Sequence, residues 1–236
     1  MAAPTIKAIE TEYAGCRFRS RLEARWAVFF DHLDFPWQYE PQGYVVGPDD
    51  DQHTYLPDFY LPNAVGGKGL WVEVKGQLTK TDQRTLLRAA DPRHGLPPIA
   101  ADEAADPYFD QWRILLLGDV PRVQPGWMCW HHVIGWTDGW KGPGLYTSAV
   151  LFTAHGLLHT GDPGVVIDAL QPETHNPSAW NFGAFVVDDS LVEPGLPEWA
   201  ASRKVANAYK AARSARFEHG EHGPRRSRRV ATGRRT

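Results

Sequence analysis

Between Tyr55 and Gly76 the chain reads YLPDFYLPNAVGGKGLWVEVKG, two aromatic and β-branched runs joined by a glycine-rich segment. Each run has the composition of a core strand, and the pair predicts a β-hairpin. A hairpin fixes which side chains can meet. Strand alternation sends Glu73 and Lys75 to one face of the second run and Val72 and Val74 to the other. A partner strand entered through Asp58 brings a second carboxylate close to Glu73. Burying a single uncompensated charge costs several kcal/mol, so three ionisable groups in two core strands need a reason.

Two close carboxylates repel unless a cation lies between them, and a hard divalent ion held by oxygen ligands meets that need. Lys75, beside such an ion, would hold an attacking water or neutralise charge on a phosphoryl oxygen. One metal site thus accounts for all three charges.

The rest of the chain bounds this reading. Its 236 residues, 42% apolar and 22% charged, suffice for one well-buried domain with an appendage. Disorder as a class is excluded by composition. No apolar run reaches the roughly 18 residues of a membrane-spanning helix, and MAAPTIKAIETEYAG has no signal-peptide pattern. Two cysteines, Cys16 and Cys129, are too few for a disulfide framework. These features predict a soluble, cytoplasmic protein with no membrane partner.

The net charge of −3 hides a split. From Arg203 onward there are 11 Lys or Arg against Glu218 and Glu221, a balance of +9, which leaves −12 for the preceding residues. A polycation attached to an acidic body implies a polyanionic partner such as DNA.

Four segments follow from the pattern. Residues 1–120 predict an α/β core. Its first helix starts near Ser20, with Leu22, Trp26, Phe29, Phe30 and Leu33 as its apolar stripe and Glu23 at the capping-box position. The runs WQYEP and GYVVG read as short strands, a second helix is capped near Thr79 or Thr81 and ends at Asp91-Pro92, and Trp112 to Leu117 reads as a buried strand. Residues 121–195, with the strand-like runs SAVLFT, GVVIDAL and GAFVVDD, predict a β-rich extension packed on the core. Residues 196–219 read as a basic helix, and residues 220–236 as a disordered basic tail.

Pro57-Asp58, Glu73-Val74-Lys75 and the upstream Glu23 in FRSRLEARW together resemble the PD-(D/E)xK, or restriction-endonuclease-like, phosphodiesterase superfamily over about residues 13–118. The helical glutamate is similar to the branch that holds RecB-type, lambda-exonuclease-like, mismatch-repair and transposon-end nucleases, and compact phage-encoded members look similar too. The resemblance implies a core with a central mixed β-sheet flanked by helices, with Asp58 and Glu73 as metal ligands and the Val74 carbonyl as a third. Lys75 would be the catalytic lysine, and Glu23 a ligand directly or through water. It implies Mg²⁺, replaceable by Mn²⁺, and hydrolysis of a phosphodiester bond of DNA by in-line attack of water. RecB-like members carry a glutamine and a tyrosine one helical turn apart after the lysine, whereas GQLTKTDQRTLL has Gln77 and Gln83 and no tyrosine.

The expected activity is therefore a DNA endonuclease or nickase in recombination or repair. The alternatives are an exonuclease of the same superfamily and a noncatalytic DNA-binding accessory protein with the same fold. Glu23 keeps a second role open, as a cap of its helix. Arg19 and Arg21 at the first helix, and Lys80 and Arg84 on the second, are candidate phosphate contacts. So are Arg213, Arg216, Arg225 and Arg226 of the basic C-terminal segment. CWHH, Cys129 to His132, lacks the second half of a zinc motif, and His155 with His159 reads as loop. Trp127, Trp130, Trp136 and Trp140 read as core before they read as base-stacking residues. A homodimer or a specificity partner stays open, since two coordinated cuts need two sites.

Overall fold

The computed structural model describes residues 10–65, 68–97, 112–124, 127–137, 144–154, 156–159, 166–167, 192–194 and 203–217. The predicted strand GAFVVDD, residues 98–111 and the tail 220–236 lie outside them.

The chain enters through a small hairpin, β1 (Thr11–Tyr13) and β2 (Cys16–Phe18), turned at Ala14 and Gly15 with φ of 51° and 81°. Positive φ at two consecutive turn residues suits the twist of paired strands, and Gly15 takes it without strain. Helix α1 (Arg21–Leu33) follows, with Ser20 as its N-cap accepting the Glu23 N–H at 3.2 Å. It stops at Asp34, which adopts the left-handed conformation with φ 62°. Trp26, Phe29, Phe30 and Leu33 are buried along one stripe, as their spacing predicts. Leu22 is only partly so.

After α1 come β3 (Gln38–Tyr39), β4 (Tyr44–Val46), β5 (His53–Tyr55), β6 (Phe59–Val65) and β7 (Lys68–Val74). Helix α2 (Lys80–Ala90) is closed by a capping box between Thr79 and Asp82, and β8 (Trp112–Leu117) returns to the sheet. Then follow β9 (Trp127–Thr137), β10 (Gly144–Phe152), β11 (Leu157–His159), β12 (Val166–Ile167), β13 (Val192–Pro194) and helix α3 (Arg203–Ser214).

The main sheet runs in the order β11-β10-β9-β8-β7-β6-β3, with β12 on β10 and β13 on β9; β4 and β5 form their own pair. It is mixed because β7 and β8 are parallel while their other neighbours are antiparallel. A parallel neighbour needs a crossover, and α2 lies in the connection between them. The β-rich stretch after Val120 joins this same sheet, β9 bonding directly to β8.

Alternation on β7 divides the interior in two. Leu70, Val72 and Val74 face a core shared with α1 and α3, whereas Trp71 faces one shared with Leu86 and Leu87 of α2 and with Ile114 and Leu116 of β8. The architecture is α/β, a mixed sheet with helices on both faces. No helix among the described residues is long and apolar enough to cross a membrane.

Helix α3 is fastened to α1. The Tyr209 ring lies 4.5 Å from that of Phe29, and Lys204 Nζ donates to Leu33 O at 3.2 Å, where the negative end of the α1 dipole favours a cation. Tyr209 also shares a 2.6 Å hydrogen bond with His131 Nε2. Burial pushes the His131 pKa down to about 3 and that of His132 to about 2.

Both histidines stay neutral in the fold. The unfolded chain therefore takes up protons that the native one cannot once pH falls below about 6.5, and stability is lost as pH drops from there toward those values. His131→Phe should cost about 1 kcal/mol at pH 7, through the lost hydrogen bond. At pH 5 it should overtake the wild type, which by then has lost up to about 2 kcal/mol at this residue. Urea unfolding at both pH values checks the crossing, and an equal gap at both would refute it.

Candidate functional site

The hairpin and the start of α1 converge at one end of the sheet. Asp58 stands at the entrance to β6, Glu73 is the penultimate residue of β7, Lys75 follows that strand, and Glu23 lies in the first turn of α1. The three carboxylates are 3%, 4% and 7% exposed for Asp58, Glu73 and Glu23.

Strand register explains how Asp58 reaches the site. Phe59, the first residue of β6, pairs with Val72, so the ladder stops two residues short of Val74, and Asp58 Oδ2 accepts the Val74 N–H at 2.8 Å in place of a ladder bond. The N–H and C=O of one residue in an extended strand point to the same edge, so the Val74 carbonyl faces the Asp58 side. Asp58 Oδ1 accepts from the Arg19 guanidinium at 2.9 Å. Glu73 is held on both oxygens, by the Tyr55 hydroxyl at 2.7 Å and by Lys75 Nζ at 2.9 Å. Lys75 also lies 3.8 Å from Asp82, the capping-box residue of α2.

Glu23 performs the capping role and a second one. Ser20 Oγ donates to Oε1 at 2.6 Å, while the Tyr39 hydroxyl at 2.6 Å and the Arg19 N–H at 3.2 Å reach Oε2. The reciprocal bond of its capping box thus lands on the Arg19 amide and not on that of Ser20. Glu40 completes the network, ion-paired with Arg19 Nε and donating its own N–H to Asp58 O at 2.9 Å.

Four participants escaped sequence reasoning: Tyr39, Glu40, Tyr55 and Asp82. Tyr55 was within reach of it, three residues before Asp58 in the same aromatic run. Tyr39 and Glu40 sit in the WQYEP strand, whose two paired residues carry no periodicity, and Glu40 adopts φ 43°, which no local pattern announces.

Five carboxylates, Glu23, Glu40, Asp58, Glu73 and Asp82, cluster around Arg19 and Lys75, Glu23 through the Arg19 backbone N–H and the others through the side-chain cations, a formal excess of three negative charges. Burial raises the Asp58 carboxyl well above its usual range, and Glu73 and Glu23 raise it further. Burial raises Glu73 as well, against the pull of Lys75 and Tyr55. Burial alone would lower Lys75, but Glu73 and Asp58 outweigh it and hold the ammonium protonated. Tyr55 is raised by burial and by Glu73, so its hydroxyl stays a donor.

Among the described residues no three or more His, Cys, Asp or Glu side chains gather where they could hold a metal ion. Asp58 and Glu73 each hold a cationic head group, Arg19 and Lys75 respectively. The donors these groups cover, Asp58 Oδ1 and Glu73 Oε1, together with the Val74 carbonyl, are hard oxygens. Such donors suit Mg²⁺ or Mn²⁺ and not a soft thiophilic ion. The donor chemistry fits a hard divalent ion; every oxygen of Glu23 is already engaged.

The predicted phosphate contacts separate. Arg19 lies in the site, and Arg21 sits beside it at the start of α1. Lys80 and Arg84 are exposed on α2. Arg213 donates to Val120 O at 2.6 Å and so fastens α3 to the end of the core. Arg216 is exposed just past α3, and Arg225 and Arg226 lie outside the described residues. Cys129 and His131 are buried on β9, Trp136 packs partly buried beneath Arg93 at 5.1 Å, and Trp140 and His155 lie outside the described residues. No family model, curated protein or solved structure matches the chain.

Proposed function

We propose that the chain is a Mg²⁺-dependent DNA endonuclease or nickase built on a restriction-endonuclease-like, PD-(D/E)xK core. One observation carries the reading. Asp58 and Glu73 are two nearly sealed carboxylates on adjoining strand ends, each raised in pKa, and each capped by a cation from a side chain more exposed than itself. A structural core has no use for such a pair, since apolar residues would fill the same space at lower cost.

Asp58, Glu73 and the Val74 carbonyl would hold the ion, with Glu23 setting the position of Arg19 and Tyr39 around them. When bound, the ion would polarise the scissile phosphate and lower the pKa of an attacking water. The chain's own groups do the rest. Lys75, anchored between Glu73 and Asp82, presents its ammonium to the attacking water or to charge developing on a phosphoryl oxygen. Tyr55 fixes the rotamer of Glu73 and leaves Oε1 as its free-facing oxygen once Lys75 turns to substrate.

Incubating supercoiled plasmid, linear duplex and single strands with Mn²⁺ tests the reading directly. Open-circular product is expected from plasmid. Intact plasmid in Mn²⁺ and Mg²⁺, with retained DNA binding, would favour the noncatalytic accessory protein. Loss of label only from linear ends would favour an exonuclease.

A further inference from the structure

Arg19 is the residue whose placement the proposed chemistry leaves unexplained. Its guanidinium spans Asp58 and Glu40, while its backbone N–H donates to the Tyr39 hydroxyl at 2.9 Å and to Glu23 Oε2. The two ends of the residue therefore differ. The backbone is clamped to the first turn of α1. The side chain is 54% exposed, although it neutralises a carboxylate that is only 4% exposed.

We propose that Arg19 is the resident counter-ion of the site. It holds Asp58 and Glu40 until Asp58 is taken over by a divalent cation, and the released guanidinium then binds a phosphate beside the scissile bond. The proposal rests on reading Asp58 and Glu73 as metal ligands. Three features support it. A guanidinium is a permanent cation, so it can leave Asp58, 2.9 Å away, only by moving. Movement costs little core packing, because more than half of the side chain is already exposed. The clamped backbone keeps the freed guanidinium within one side-chain length of Asp58, and its planar fork matches a phosphate in a bidentate pair.

The same exchange explains why the acids do not converge on one point. With Arg19 and Lys75 in residence, each carboxylate is drawn to its own cation. Glu40, with its φ of 43°, is held in that conformation by the N–H bond to Asp58 O and keeps a waiting partner for Arg19.

Calorimetric titration of Mn²⁺ into the full chain without DNA tests the first half. Arg19→Gln should tighten Mn²⁺ binding by about tenfold, since a charge-assisted hydrogen bond no longer competes for Asp58. Arg19→Lys, which keeps the charge but cannot span two carboxylates, should fall between it and the wild type and covers the case in which the glutamine variant folds poorly. Binding of a fluorescein-labelled duplex tests the second half. Arg19→Gln should weaken it about tenfold in Ca²⁺, and leave it within about twofold in EDTA, where the guanidinium is still spent on Asp58. Mn²⁺ affinity unchanged or weaker in both Arg19 variants, with binding lost in Asp58→Asn, would overturn the role of Arg19 and leave the metal site standing. No Mn²⁺ binding by the wild type or any variant would overturn the metal site, and the Arg19 role with it.

Discussion

Asp58→Asn and Lys75→Ala should each lower plasmid cleavage by about a thousandfold while moving stability in opposite directions. Asparagine keeps an oxygen for the Val74 N–H but cannot carry the charge a hard cation needs. Its effect on stability follows from sign. The folded pKa of Asp58 is raised, so its contribution to stability is present below the unfolded carboxylate value and lost as pH rises through the folded one. The charged form of Asp58 works against the fold, beside Glu73 and Glu23. Removing the charge should raise Tm by about 2–4 °C for each kcal/mol recovered in a chain of this size.

Lys75→Ala acts the other way. It leaves Glu73 nearly buried with only the Tyr55 hydroxyl, at a cost of about 1–3 kcal/mol. Activity and melting curves measured together separate this from simple damage, because one inactive variant would be more stable than the wild type. Full cleavage by either variant sinks the assignment of the site.

That opposition also explains what could be read from the sequence. Glu73, Lys75 and Asp58 were legible because each violates hydrophobic patterning in a strand whose composition is otherwise unambiguous, and period 2 fixes the face each one takes. The helix stripe of Trp26, Phe29, Phe30 and Leu33 was legible for the matching reason, an unbroken period of 3.6. Thr79, one of the two caps the sequence offered, announced the start of α2 through capping chemistry that acts within four residues.

The remainder depends on contacts distant in sequence. Arg19 and Asp58 are 39 residues apart, and His131 and Tyr209 are 78 apart. No local preference encodes either pair. Pro62 in β6 shows the limit from the other side. A proline and the glycine-rich run predicted an early end to that strand, yet it continues to Val65 across a register shift after Leu61, as a bulge permits. The entry hairpin β1–β2 has three residues per strand, too few for alternation to register.

The second large effect concerns how DNA, under the proposed function, would reach an acidic site. With three excess formal negative charges around Asp58 and Glu73, and −12 over residues 1–202, the body would repel a phosphate backbone until cations drew it in. Residues 220–236 carry six arginines, Arg225 and Arg226 among them, against Glu221. If their charges meet phosphates, deleting the segment should make the slope of log affinity against log salt shallower by about 5, from roughly 0.9 per phosphate neutralised. Arg213 serves as the internal contrast, because its guanidinium is spent on the Val120 carbonyl. Arg213→Gln should lower Tm and leave the slope unchanged, since a single lost phosphate contact would already shift it by about 0.9. The deletion should instead leave Tm and single-turnover cleavage at saturating protein unchanged, because no described residue of the site lies beyond Asp82. A deletion variant with the original salt slope would move the binding surface onto the body itself, where Lys80 and Arg84 on α2 are the exposed cations nearest Lys75 in sequence. Their double replacement would then have to produce the loss that the tail did not.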